Sequence, residues 1–378
     1  PLEIASRVLP RQALREILLL TFYRGLYWSN YQTRESCLEY TITLIPGDGI
    51  GPEVTEAAAR VVKAAGVSVR WERVEAGASA IPKHGTTLPD AVLESITRNR
   101  VALKGPLTTP IGAGFASVNV ALRKALDLYV SLRPVRSLPG IKTRHTGVDL
   151  VIVRENTEGL YSGREHSVTP GVVEGLRIIT RRASERIARF AFDYARHEGR
   201  RKVTLLHKAS IMKMSDGLFL ETCHRVSRQY PFVECQEMLI DNAAMQLVLD
   251  PSRFDLLLME NLFGDLISDL CAGLVGGLGV VPGANIGDQC AVFEAVHGSA
   301  PDIAGRGVAN PTAVVLSAAL MLRHMGEREA AAAIVSAVDR VLAEGAQVTA
   351  DLGGRATTAG MTGAIIDSLG APVESAVS

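Results

Sequence analysis

From residue 41 onward, apolar residues come in short bursts that end at glycine, proline or a polar cluster. The runs 41–45, 67–74, 101–104, 149–153, 203–207 and 255–259 read as strands, being short and rich in branched or leucine side chains. Between them the apolar positions return every three or four residues. Helices are therefore predicted over 53–65, 182–197, 215–229, 311–325 and 327–344. Strands alternating with helices indicate an α/β fold on a largely parallel sheet. No internal repeat or low-complexity tract interrupts the pattern.

Two segments carry polar residues at informative spacing. After the apolar run 256–259, the residues Leu266, Ile267, Leu270 and Leu274 have helical spacing. Asp265 and Asp269, four residues apart, then lie one above the other on a single helix face. Two carboxylates so placed repel unless a cation sits between them, and hard oxygen ligands suit Mg²⁺ or Mn²⁺. The other reading is a solvated helix start whose acids meet the macrodipole. The second segment begins at Phe115, where Leu122, Ala125, Leu126 and Tyr129 follow helical spacing and Ser117 stands as N-cap.

Composition narrows the function classes. At 378 residues, two domains or one with a large insertion are expected. The formal net charge is zero, so nothing points to nucleic acid or an anionic membrane. No apolar run reaches the 18 or so residues that span a bilayer. Five cysteines form no C-x-x-C pair, which suggests free thiols in a reducing compartment. Residues 1–40 form an extension with five arginines and four glutamates. The glutamates argue against an import presequence, so a cytoplasmic location is expected ahead of the mitochondrial matrix.

Candidate chemistry follows. Gly47-Asp-Gly-Ile-Gly51 lies between a strand and a helix, but its spacing is G-x-G-x-G, not the dinucleotide fingerprint G-x-G-x-x-G. Gly276-Gly-Leu-Gly279 precedes no P-loop lysine. A standard Rossmann enzyme is not indicated. Arg123, Arg133 and Arg154 stand at element ends, where guanidinium forks suit a substrate with several carboxylates. Surface salt bridges are the plainer alternative. Tyr161 and Lys208, if near a metal and guanidinium groups, would have depressed pKa values fit for proton transfer near neutrality.

Seven motifs occur in one order: Gly47-Asp-Gly-Ile-Gly-Pro-Glu53, Gly105-Pro-Leu-Thr-Thr-Pro110, Asp127-Leu-Tyr-Val-Ser-Leu-Arg-Pro134, Arg154-Glu-Asn-Thr-Glu-Gly-Leu-Tyr161, His207-Lys-Ala-Ser-Ile-Met-Lys213, Gly264-Asp-Leu-Ile-Ser-Asp269 and His297-Gly-Ser-Ala-Pro-Asp-Ile-Ala-Gly305. Over residues 41–370 the chain resembles the β-decarboxylating dehydrogenases of isocitrate, isopropylmalate and homoisocitrate. The resemblance implies a two-domain α/β fold of isocitrate/isopropylmalate dehydrogenase type with an interdomain active-site cleft. Residues 41–128 with 276–378 would form the large cofactor-binding domain. Residues 129–275 would form the small domain, with a dimer contact and a clasp after Tyr161. An obligate homodimer with shared active sites is implied, alone or in a higher oligomer.

Roles carried over from the family fall on matching positions. Arg123, Arg133 and Arg154 would hold substrate carboxylates. Asp265 and Asp269 would bind Mg²⁺ or Mn²⁺, with Asp241 supplied by the partner subunit. Tyr161 and the partner's Lys208 would act as acid and base. Thr109, His297, Gly298, Ala300, Asp302, Ile303 and Asn310 would bind the cofactor. NADP-linked relatives place lysine and tyrosine where this chain has Asp302 and Ile303, which implies NAD. Isocitrate enzymes resemble Ser-x-Asn-x-x-x-Arg at Ser117, Asn119 and Arg123, which implies isocitrate and a step of the tricarboxylic acid cycle. Homoisocitrate, then isopropylmalate, are the alternatives; so is a catalytically silent regulatory chain, although every matched position is intact.

Overall fold

The computed structural model describes residues 39–110 and 117–370. The 1–40 extension up to residue 38 lies outside the described residues, as do Phe115 and Ala116 of the segment before Arg123.

The first stretch runs β1 (Tyr40–Ile45), α1 (Gly51–Ala64), β2 (Val69–Arg73), α2 (Ile81–His84), α3 (Asp90–Asn99), β3 (Val101–Lys104) and α4 (Val118–Ala125). The middle runs β4 (Val130–Arg136), β5 (Asp149–Glu155), β6 (Gly159–Thr169), β7 (Val172–Ile178), α5 (Arg181–His197), β8 (Lys202–His207), α6 (Ser215–Ser227), β9 (Glu234–Leu239), α7 (Ile240–Leu249), β10 (Leu256–Met259) and α8 (Asn261–Leu274). The last runs β11 (Pro282–Ile286), β12 (Ala291–Ala295), α9 (Thr312–His324), α10 (Arg328–Glu344) and α11 (Thr358–Asp367).

One ten-stranded sheet has the order β2-β1-β3-β12-β11-β4-β5-β10-β8-β9. Its two wings are parallel, as the alternating pattern predicts. Its centre is not: β11 pairs antiparallel with both β12 and β4, and β4 with β5. Helical spacing extended through Tyr129 had concealed β4, but α4 stops at Ala125 and Tyr129 is buried at the strand's edge. Strands β3, β10 and β12 are buried along their whole length, as expected where helices cover both faces.

The glycine turn after β1 is a packing knot. A Cβ on Gly47 would overlap the Pro106 carbonyl, and one on Gly49 the Ser299 carbonyl. Asp48 N donates to Pro106 O at 2.8 Å and Ile50 N to Ser299 O at 2.9 Å. The Asp48 carboxylate accepts from Ala78, Ser79 and Thr108 N–H. Three loops are thus held where β1, β3 and β12 end. Strands β6 and β7 leave the sheet as a separate two-stranded ribbon with apolar residues exposed, among them Val168, Val173 and Leu176. No helix among the described residues is long and apolar enough to cross a membrane.

Candidate active site

Helix α8 begins at Asn261, four residues before the first aspartate, and its N-terminus is capped by Glu260, which accepts from Leu262 and Phe263 N–H. Asp265 and Asp269 therefore sit in the helix body, one turn apart, and not at a solvated helix start. Arg154 crosses the helix at Gly264, where a Cβ would overlap its side chain. Its Nη1 meets Asp265 Oδ1, while Nε and Nη2 donate to Asn261 Oδ1 at 3.0 and 2.7 Å. Arg133 donates to Ser268 Oγ and lies 3.4 Å from Asp269 and 4.0 Å from Asp265.

The three arginines are not surface salt bridges. Side-chain exposure is 1% for Arg154, 9% for Arg133 and 12% for Arg123. Burial pushes the Arg133 pKa down to about 10, with repulsion from Arg154 and Arg123 adding to it. Burial also lowers the Arg154 pKa, against the attraction of Asp265. Burial disfavours the Asp265 carboxylate, but Arg154, Tyr161 and Arg133 outweigh it and its pKa falls. The site concentrates positive charge and holds it out of water, which favours a polyanionic ligand.

A cavity of about 140 Å³ opens among Asn119, Arg123, Arg133, Asn285, Glu294 and His297. Asn119 Oδ1 and His297 Nε2 are both buried without a hydrogen-bond partner. Apolar lining is confined to small stretches such as Leu107 and Val296, so the described residues form no wide slot for a branched alkyl group there. Ser117 is exposed at the start of α4 but makes no side-chain cap; Thr109 Oγ1 accepts the Val118 N–H instead, at 3.0 Å.

Sequence reasoning missed one part of this cavity. Glu294 accepts from Asn285 Nδ2 at 2.5 Å and pairs with Lys104 and, at 3.2 Å, with Arg123. All three are nearly dry, and despite burial the two cations hold the Glu294 pKa far below the usual carboxylate range. The available signal was a lysine closing a fully apolar strand, Val101-Ala-Leu-Lys104.

Tyr161 donates its hydroxyl to Asp265 Oδ2, under the Arg154 guanidinium 5.1 Å from its ring centroid. In the protein alone its pKa is raised: burial comes first and the bond to Asp265 adds to it, against Arg154. Lys208 and Asp241 pair with each other at 2.7 Å on the exposed side of β8 and α7. Within the chain they do not join Asp265 and Asp269; no group of three His, Cys, Asp or Glu among the described residues could hold a metal.

Apart from Thr109, which follows β3, the cofactor candidates lie between β12 and α9. His297 and Gly298 line the arginine cavity, and burial lowers the His297 pKa, favouring the neutral ring. Ala300 is left-handed, with φ of 39°, and opens a short turn bearing Asp302 and Ile303. The Asp302 carboxylate caps nothing: it has no hydrogen-bond or ion-pair partner among the described residues and is exposed. Asn310 donates to Asp351 at 2.9 Å.

Residues 41–367 match the family model of isocitrate/isopropylmalate dehydrogenases. The chain is 55% identical over 330 residues to isocitrate dehydrogenase [NAD] catalytic subunit 5, mitochondrial, of Arabidopsis thaliana, covering 87% of this chain and 88% of that one. It is 50% identical over 341 residues to a mitochondrial regulatory subunit of isocitrate dehydrogenase [NAD] from Dictyostelium discoideum, covering 90% and 94%. A crystal structure of isocitrate dehydrogenase from Methylococcus capsulatus superposes with a TM-score of 0.84 at 52% identity, covering 87% and 99%. The curated relatives, a human chain among them, carry mitochondrial names. The cytoplasmic expectation is overturned: it rested on a count of glutamates, and an import address does not reduce to charge composition.

Proposed function

The chain belongs to the isocitrate/isopropylmalate dehydrogenase family, and from that membership we propose that it oxidises isocitrate to 2-oxoglutarate and CO₂ with NAD. The observation that carries the substrate is the buried trio Arg123, Arg133 and Arg154, the first two lining a polar cavity with an unsatisfied Asn119 and the third set against Asp265. Three guanidinium groups match three carboxylates, and among the described residues the polar lining of the cavity favours isocitrate over isopropylmalate. Its relatives carry mitochondrial names, and we infer from them that the enzyme works in the mitochondrial matrix; isocitrate oxidation there makes it a step of the tricarboxylic acid cycle.

Asp265 and Asp269 offer hard oxygens on successive helical turns and fit Mg²⁺ or Mn²⁺. Two carboxylates from one chain leave the set short, and Asp241 of the partner subunit completes it. When bound, the cation supplies Lewis acidity and NAD takes the hydride. The arginines orient the substrate in the dry cleft. The partner's Lys208 accepts the C2 hydroxyl proton. Tyr161, kept neutral by burial and by Asp265, gives its proton to C3 once CO₂ has left. The exposed, unpaired Asp302 meets the adenosine ribose, beside His297, Gly298, Ala300, Ile303, Thr109 and Asn310.

The large domain comprises 41–128 with 276–378 and the small one 129–275. Support comes from the sheet, whose β11–β4 pairing is where these segments meet. The assembly pairs this chain with a second copy or with a related chain through the β6–β7 ribbon. A second reading, a regulatory role, is favoured by the Dictyostelium relative's name alone.

The deciding assay is turnover of the purified chain with isocitrate, homoisocitrate and isopropylmalate, with NAD and NADP, before and after chelation. Isocitrate and NAD should give the highest efficiency, and only with metal. Activity that appears only on adding a second, different chain would favour the regulatory reading. Site sharing is tested by complementation: mixing Lys208→Met and Asp265→Asn chains, each inactive, should restore one complete site per dimer.

A further inference from the structure

The β6–β7 ribbon is solvent-exposed over most of its length, but Arg177 turns inward from β7 with 11% side-chain exposure. Its Nη1 meets Asp216 Oδ1 and lies 3.0 Å from Ser215 Oγ. Its Nη2 lies 3.2 Å from Glu260 Oε1 as an ion pair without hydrogen-bond alignment, and its Cζ stands 5.3 Å from the Phe263 ring centroid. Both carboxylates are buried, Asp216 at 1% and Glu260 at 3% exposure.

Each carboxylate then holds one piece of the candidate active site. Asp216 Oδ2 accepts the Lys208 backbone N–H at 2.6 Å. Glu260 caps α8, accepting from Leu262 and Phe263 N–H at 3.2 and 3.1 Å, and α8 carries Asp265 and Asp269. One guanidinium therefore compensates two buried anions, one behind the lysine and one behind the aspartate helix. Without it, two desolvated carboxylates would repel across the gap, and each would shift the backbone it anchors.

We propose that Arg177 is a positioning residue that couples the Lys208 loop to helix α8. The inference rests on the shared-site reading above: α8 serves the chain's own site, while Lys208 enters the partner's. A single Arg177 then sets metal geometry in one site and the proton acceptor in the other. A mere brace for the ribbon would behave differently, since its loss would lower the amount of intact dimer and move every parameter together.

The experiment uses a heterodimer of differently tagged chains, the first carrying Lys208→Met and the second Asp265→Asn. Its one complete site takes Asp265 from the first chain and Lys208 from the second. Arg177→Gln placed in the first chain should weaken Mn²⁺ binding about tenfold, read without turnover from the electron paramagnetic resonance of free Mn²⁺, with kcat within about twofold. Placed in the second chain it should lower kcat about tenfold and leave Mn²⁺ affinity within about twofold. Arg177→Lys keeps the charge but not the fork; it should show the same partition at about threefold, and decides the matter if the glutamine variant fails to assemble. Equal effects from both placements, or none with the dimer intact, overturn the proposal. If the heterodimer without any Arg177 change is inactive, the shared-site reading fails, and with it the link to a partner's site. The coupling to α8 is then decided in the unmixed chain, where unchanged Mn²⁺ affinity in Arg177→Gln would overturn it.

Discussion

Replacing Glu294 by glutamine removes one negative charge and almost no volume. In the parent, this carboxylate is the anion between Lys104, 2% exposed, and Arg123, 12% exposed. The substitution leaves two buried cations facing each other with only an amide between them. Breaking a buried pair by removing one partner costs about 3–5 kcal/mol. At roughly 2 °C per kcal/mol for a chain of this size, the melting temperature should fall by roughly 6–10 °C. The pH dependence has a definite sign. The folded-state pKa of Glu294 is depressed, so its stabilisation is full above the unfolded value near 4.5 and erodes as pH falls below it. The gap between parent and Glu294→Gln should therefore narrow on acidification. Adding Lys104→Met to Glu294→Gln should recover part of the loss, because the surplus charge goes with it. Isocitrate should raise the melting temperature of Glu294→Gln more than that of the parent, since the freed cations line the cavity. Circular dichroism melts of the four proteins of this cycle, at neutral pH and near pH 4, provide the test. A fall under 2 °C, or a double variant that loses the full sum of both single changes, would refute the buried-triad account.

Other consequences are open to direct measurement. Asp265→Asn should lower kcat at least about 100-fold; because Arg154 leans on this carboxylate, it should also lower the melting temperature by a few degrees, and an unchanged melt would contradict that pairing. Asp302→Lys with Ile303→Tyr should move cofactor preference toward NADP. A carboxylate about 4 Å from the 2′-phosphate costs about 4 kcal/mol at an effective dielectric near 20, so a double variant that still prefers NAD would count against Asp302 as the selector. Burial raises the Glu158 pKa to about 7 despite two bonds from Thr180. Its ionisation therefore costs stability progressively between about pH 4.5 and 7, and Glu158→Gln should flatten the melting profile there; a parallel profile would exclude this residue as the source.

What the sequence determined by itself is what repeats at short range. Strand β3 coincides with its apolar run, and β1, β5, β8 and β10 lie within a residue or two of theirs, as do the long helices α1, α5, α6, α9 and α10. The i, i+4 spacing placed Asp265 and Asp269 on one helix face, and motif order was enough to indicate the family. Helix and strand periods are local, so residues within one element report on each other directly. Which charges would meet was decided only by tertiary structure. Arg154 and Asp265 are 111 residues apart, and Arg123 and Glu294 171; the first pair meets because α8 packs against β5, a contact between elements distant in the chain. The same burial that gathers these groups raises the Tyr161 pKa and exposes the need for Lys104, Glu294 and Arg177. Desolvation and long-range pairing depend on which surfaces face each other, and no local pattern records that.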